Sequence, residues 1–215
     1  MKTVRRRDLF RIVKFARRFD RATGKFHYDI RFQTRTEVTP RTVAVAEAFG
    51  LGVDQHREFV VYDNVELKIG PTDIVLITGE SGSGKSVLLR ALEKDVREDL
   101  NLGVINIADL SVDPDKPLID TVGKTFEEGL ELLSLVGLND AFLFLRRYNE
   151  LSDGQKYRYR VAKLIESGKP FWTADEFCAC LDRDTAKIVA FNVQKLARRY
   201  CRAVLAATTH TDLLD

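Results

Sequence analysis

The sequence predicts an α/β fold with a mostly parallel core sheet and an antiparallel β edge. Three observations carry that expectation. Asp73–Thr78, Phe171–Ala174 and Val204–Thr209 are short, largely apolar runs of the kind found in strands buried on both faces. Between them lie longer stretches with apolar residues at helical spacing. Towards the N-terminus, Phe26, Tyr28, Ile30 and Phe32 alternate with Lys25, His27, Asp29 and Arg31, which is the period of a half-exposed strand.

With 215 residues and 45% hydrophobic content, the chain suffices for one large domain, or for one domain and a small appendage. No apolar run approaches a transmembrane span, and the start (Met1-Lys2-Thr3-Val4-Arg5-Arg6-Arg7) lacks the apolar segment of a signal peptide. Cys178, Cys180 and Cys201 are too few and too odd in number for a disulfide framework, so a cytoplasmic location is expected. The net charge of +2 conceals an asymmetry. Residues 1–41 hold 13 Lys and Arg against 4 Asp and Glu, whereas the remainder holds 21 against 28. Residues 1–37 are therefore expected to form a basic helix/strand appendage, with room for nucleic acid as a partner, and residues 38–215 the main domain.

In chain order, Leu9, Ile12, Val13 and Ala16 predict a helix over residues 7–19, broken at Thr23-Gly24 and followed by the alternating strand. Thr39-Pro40 reads as an N-cap with proline in the first turn, opening a helix from Arg41 to Phe49 that stops at Gly50. After a linker, Leu51 to Arg57, two strands are expected, Glu58–Tyr62 and Val65–Ile69, with a turn at Asp63-Asn64. The strand Asp73–Thr78 runs into Gly79-Glu80-Ser81-Gly82-Ser83-Gly84-Lys85-Ser86, and Val87–Leu92 continues as a helix. Residues 104–112 read as a strand and its exit, and residues 121–147 as mainly helical with a break near Gly137-Leu138-Asn139. Leu151-Ser152-Asp153-Gly154-Gln155 precedes a helix that ends at Gly168 and Pro170. A helix then begins at Leu181-Asp182-Arg183-Asp184 and runs through Arg199.

Two stretches carry chemistry. Residues 79–86 fit GxxxxGK[ST], a phosphate-binding loop in which backbone N–H groups and a helix start face a nucleotide polyphosphate. Lys85 would reach the β- and γ-phosphates, and the Ser86 hydroxyl would ligate Mg²⁺. Opposite it, the strand Phe171–Ala174 ends in Asp175, a second candidate for Mg²⁺, and Glu176, a candidate general base for water. Cys178-Ala179-Cys180 has no second pair to complete four metal ligands, so structural cysteines are the stronger reading. His210, at the end of the last strand, is a candidate contact to the γ-phosphate.

The order of these motifs resembles the ATP-binding-cassette (ABC) ATPases, P-loop NTPases in which a Walker A loop, an LSGGQ signature, a Walker B strand ending in Asp-Glu, a D-loop and a switch histidine follow one another. They correspond to Gly79–Ser86, Leu151–Gln155, Phe171–Glu176, Leu181–Asp184 and His210. The resemblance implies ATP hydrolysis with Mg²⁺, with Lys85, Glu176 and His210 catalytic. It also implies a head-to-tail dimer in which Ser152, Gly154 and Gln155 of one copy complete the ATP site of the other. Three departures stand out. Asp153 replaces the signature's first glycine. No glutamine lies between Ser86 and Gln155, and Asp113 is the candidate replacement ligand for Mg²⁺ or water. Only 66 residues separate Lys85 from Leu151, an interval shorter than in transporter subunits, so the resemblance implies a shortened helical subdomain.

That short interval favours a soluble, non-transporter ATPase acting on a partner protein or nucleic acid. The alternatives are the ATP-binding subunit of a transporter and a weakly catalytic regulatory module. Val45–Gly50, Ser83–Arg90 and Ala207–Leu213 are also similar to soluble ABC-type ATPases fused to a predicted GNAT-type acetyltransferase domain, which makes such a domain a candidate partner. The chain stops soon after His210, as a truncated or unusually short member would. Phe49, Phe59 and Tyr62 are candidates to stack on adenine.

Overall fold

The computed structural model describes residues 10–35, 38–50 and 56–214, and two compact units emerge, Met1–Lys68 and Ile69–Asp215. The basic start Met1–Arg7 and residues 51–55 of the linker lie outside the described residues.

The first unit is a three-stranded antiparallel sheet in the order β1-β2-β3, together with one helix. Its strands are β1 (Phe10–Asp20), β2 (Lys25–Arg35) and β3 (His56–Lys68). The helix expected over residues 7–19 is therefore a strand wherever it is described. The pattern misled because β1 slips register between Ile12 and Lys14, leaving Val13 as an extra residue. A one-residue slip moves the apolar positions from period two into a spacing that mimics a helical stripe. The turn expected at Asp63-Asn64 is likewise a bulge within one continuous strand. Tyr28 pairs with Val65 and Ile30 with Tyr62, so Asp63 and Asn64 stand opposite the single residue Asp29, and Asn64 adopts φ +48°. Phe26, Tyr28 and Ile30 form the buried centre of the sheet. The unit ends at Lys68, not at residue 37, because β3 pairs with β2 along nearly its whole length.

Three cations of this sheet are met locally. Lys14 pairs with Asp29, Lys25 with Glu66 at 2.8 Å, and Arg31 with Asp63 at 2.8 Å and Asp29 at 3.1 Å. The hydrogen bond from Lys14 holds the Asp29 carboxyl below the usual carboxylate range. Helix α1 (Pro40–Ala48) opens as expected, with the Thr39 hydroxyl accepting from the Thr42 N–H.

The second unit is a four-stranded parallel sheet in the order β4-β7-β6-β5, formed by β4 (Ile74–Thr78), β5 (Val104–Asn106), β6 (Phe171–Ala174) and β7 (Ala203–Thr208). Every residue of β6 and β7 is buried, as central parallel strands require. Helix α2 (Lys85–Glu98) follows β4, and α6 (Arg183–Arg199) connects β6 to β7. Between β5 and β6 lie α3 (Phe126–Leu135), the single turn α4 (Ala141–Phe144) and α5 (Asp153–Glu166). The stretch 121–147 is thus less helical than expected, and the strand expected over 104–112 shortens to three residues before a 3-10 turn at Ile107–Asp109. Leu118, Leu132, Leu133, Tyr159 and Trp172 belong to one apolar core that binds these helices to the sheet. No helix among the described residues is long and apolar enough to cross a membrane.

Candidate active site

At the carboxyl ends of β4, β6 and β7 lies a cleft of about 420 Å³, lined by Ser81, Gly82, Gly84, Lys85, Ser86, Asp175, Glu176 and Thr208 among others. Ligands of open parallel sheets bind in such positions, outside the strand ends. The loop from Gly79 to Gly84 owes its shape to backbone angles that residues with side chains rarely adopt. Gly79 has φ +151° and a Cβ there would stand 2.9 Å from the Ser83 Oγ, while Gly84, at φ +93°, is the N-cap of α2. No side chain caps α2 and no acid lies in its first turn, so the helix start is a ready anion site. The Lys85 Nζ donates to the carbonyls of Gly79 at 2.8 Å and Glu80 at 2.7 Å, folding the loop around its own cation.

The Walker-B-like strand reaches the same cleft. The Ser86 hydroxyl donates to the Asp175 Oδ1 at 2.9 Å, joining residues far apart in sequence. Two hard oxygen donors at that separation suit Mg²⁺, which typically takes one or two protein groups and completes its shell with water and phosphate oxygens. Glu176 follows at φ +51°, exposed to solvent, with its N–H donating to the Asp175 Oδ1 at 3.1 Å. A second left-handed residue, Cys178 at φ +58°, completes the tight turn. Non-glycine residues in this region are strained and cluster where side chains must be aimed.

This turn is tied to the strand that leads to His210. Phe177 donates its N–H to the Ala207 carbonyl at 2.7 Å, and the Thr208 hydroxyl donates to the Phe177 carbonyl at 3.0 Å. The His210 N–H then donates to the Thr208 Oγ1 at 3.1 Å. His210 is half-buried and does not line the cleft itself; Thr208 and Thr209, which drew no attention in the sequence, do.

The signature residues stand apart from this cleft. Ser152 and Gln155 form a reciprocal cap on α5, the Gln155 N–H donating to the Ser152 Oγ at 3.3 Å and the Ser152 N–H to the Gln155 Oε1 at 3.0 Å. Ser152 is exposed, and Gly154 packs against α6 so closely that a Cβ would lie 2.9 Å from the Thr185 Cγ2. Asp113 is not brought to the cleft either. Its Oδ1 accepts from the Asp115 N–H at 3.0 Å, which holds its carboxyl below the usual range, and Lys116 lies 3.4 Å away. The three cysteines are free: Cys178 is buried, with its thiol pushed up to about 12 by burial, while Cys180 and Cys201 are exposed. Of the aromatics considered for adenine, Phe49 caps the end of α1, and Phe59 and Tyr62 stand on β3.

Comparison with known proteins agrees with this geometry. The ABC transporter family model matches residues 62–128. The cytochrome c biogenesis ATP-binding export protein CcmA of Gluconobacter oxydans (strain 621H) is 32% identical over 168 residues, covering 72% of this chain and 76% of that protein. The methionine import ATP-binding protein MetN of Rhizobium etli is 26% identical over 218 residues, and there the chain spans only 60% of the relative. Among solved structures, the dimeric post-hydrolysis state of the ATP-binding cassette MJ0796 bound to ADP and Pi aligns with a TM-score of 0.55 and 20% identity, over 73% of this chain and 83% of that one. The chain belongs to the ABC transporter ATPase family, as an ATP-hydrolysing cassette whose cofactor is Mg²⁺.

Proposed function

We infer that this cassette powers a membrane transporter, with two copies closing head to tail on ATP and a membrane-embedded partner taking up the motion. The observation that carries the ATPase part is the meeting of Ser86 with Asp175 beside Glu176 in the cleft of the phosphate loop. In this reading the loop N–H groups receive the phosphates, and Lys85 leaves the Gly79 and Glu80 carbonyls for the β- and γ-phosphate oxygens. Ser86 and Asp175 would hold Mg²⁺, which would supply neutralisation of the phosphate charge. Glu176 accepts a proton from the attacking water, and His210 contacts the γ-phosphate. Ser152, Gly154 and Gln155 of the second copy offer the exposed start of α5 to the same phosphate.

The relatives' names, one an exporter and one an importer, favour a transporter over the soluble role suggested by the sequence. The soluble reading keeps one specific observation on its side, the short interval between Lys85 and Leu151, in which α3 and the single turn α4 are the α-helical segments between β5 and α5. The exporter and importer named above lend no support to the acetyltransferase fusion or a nucleic-acid partner, and the pairing of Lys14, Lys25 and Arg31 within their own sheet leaves those cations engaged. The test is affinity purification of a Glu176→Gln chain with ATP from detergent-solubilised membranes. A stoichiometric integral membrane protein is the expected result; recovery of the chain without one, with full ATP binding, would refute the transporter role.

A further inference from the structure

Two residues apart from the ATP contacts form a second clasp between the same helix and strand that meet at Ser86 and Asp175. Glu93 lies on α2 at 9% exposure, and Thr173 lies on β6 at 1%. The Thr173 hydroxyl donates to the Glu93 Oε1, which also accepts from the Asn106 Nδ2 at 2.8 Å. Asn106 is itself oriented, because its Oδ1 accepts from the Ala108 N–H at 2.9 Å. A buried carboxylate costs several kcal/mol unless it is hydrogen-bonded, so a glutamate here, on a helix whose other buried residues are Leu88, Leu89, Ala91, Leu92, Asp95 and Val96, calls for a reason.

The spacing supplies one. Ser86 and Glu93 are seven residues apart on α2, two helical turns, and so share one face. Thr173 lies within β6, and Asp175, two residues on, is the first residue after that strand; hydrogen bonds bring both to α2. Ser86 meets Asp175 at the helix start, and Glu93 meets Thr173 deeper in the sheet. The two contacts are rungs between one helix face and the short stretch from Thr173 in β6 to Asp175 just past its end, and the inner rung fixes where the outer one can sit.

We propose that Glu93 is a positioning residue for Mg²⁺, holding β6 against α2 through Thr173 so that Asp175 stands at the right distance from Ser86. The proposal rests on the reading of Ser86 and Asp175 as the Mg²⁺ holders. It is tested by nucleotide binding, with no turnover: the affinity for a non-hydrolysable ATP analogue is measured in Mg²⁺ and in EDTA, and their ratio is the Mg²⁺ gain. Outer partners of metal ligands typically alter metal affinity 10–100-fold, so Glu93→Leu and Thr173→Val should each cut the Mg²⁺ gain by about tenfold or more while leaving affinity in EDTA near wild type. The double variant should lose no more than the larger single effect, because both remove one contact. Glu93→Gln, which retains an oxygen to accept from Thr173, should keep the gain and guards against a mere folding defect. Asp175→Asn is the arm that separates the two readings. If it loses the Mg²⁺ gain while folded Glu93→Leu and Thr173→Val keep it, the positioning role is overturned and the Mg²⁺ site stands. If Asp175→Asn keeps the gain, the Mg²⁺ site falls and the positioning role falls with it.

Discussion

Gly154 offers a test in which the sign of a stability change can be reversed by one methyl group. It is the second residue of α5, and a Cβ there would stand 2.9 Å from the Thr185 Cγ2 on α6. Thr185 cannot easily turn away. It is β-branched, and its N–H is bound to the Asp182 Oδ1 at 3.0 Å in the first turn of α6. Gly154→Ala should therefore overpack the contact between the two helices at a cost of about 1–3 kcal/mol. Against this, alanine in place of glycine within a helix contributes about 0.5–1 kcal/mol of stability. The net loss is then up to about 2.5 kcal/mol, which at roughly 2–4 °C per kcal/mol lowers the Tm by up to about 10 °C. Thr185→Ser removes the Cγ2 and retains the hydroxyl. In that background Gly154→Ala should no longer destabilise and should raise the Tm by the helix contribution alone. Scanning calorimetry of the four chains in the absence of nucleotide measures both signs. A Tm change for Gly154→Ala that is the same in the wild-type and the Thr185→Ser backgrounds would refute the close-approach argument.

The assigned roles make further expectations. Lys85→Ala should lose ATP binding, whereas Glu176→Gln should retain it and lose steady-state hydrolysis, because the Mg²⁺ and phosphate contacts survive neutralisation of the general base; equal turnover by wild type and Glu176→Gln would contradict the role of Glu176. With ATP, Glu176→Gln should sediment as a dimer, and adding Ser152→Arg should return it to nucleotide-bound monomers; a dimer that survives in the double variant would count against the head-to-tail arrangement. At pH 8 the native chain should show two fast-reacting thiols, Cys180 and Cys201, with Cys178 reacting only on unfolding, since burial holds its thiol near 12 and the nucleophilic thiolate is scarce far below that value. Three fast thiols in the folded chain would show that the turn after Glu176 opens.

How much could be read in advance depended on the kind of strand. β6 and β7 are buried throughout, and β4, the edge strand beside β7, is partly exposed but equally apolar, so an unbroken apolar run announces each of them, and the loop and acids at their ends follow from position alone. The first sheet was harder. Its strands show alternation only between bulges, and the slip at Val13 turned β1 into an apparent helix. The division of the chain was obscured for the same reason: with β1 read as a helix and β3 as two strands, nothing joined residues 56–68 to the N-terminal end. Charge counting also failed to show that Asp29, Asp63 and Glu66 lie beside the cations they answer.

The least legible part of the site is the link between Glu176 and His210, because it runs through a hydroxyl that looks interchangeable with its neighbour. Thr208 and Thr209 are adjacent and identical in the sequence, but Thr208 is buried at 1% exposure and Thr209 is exposed. Burial leaves the Thr208 hydroxyl no water, so it must find protein partners on both sides. It donates to the carbonyl of Phe177, the residue after Glu176, and accepts from the N–H of His210. One side chain thus pins the strained turn that aims Glu176 and the start of the segment that carries His210. A displacement of either segment disturbs the hydrogen bonding of the other through a single atom. Strand alternation tells which of two threonines faces inward only when the strand end is known to the residue, and ends are where sequence patterns are least defined.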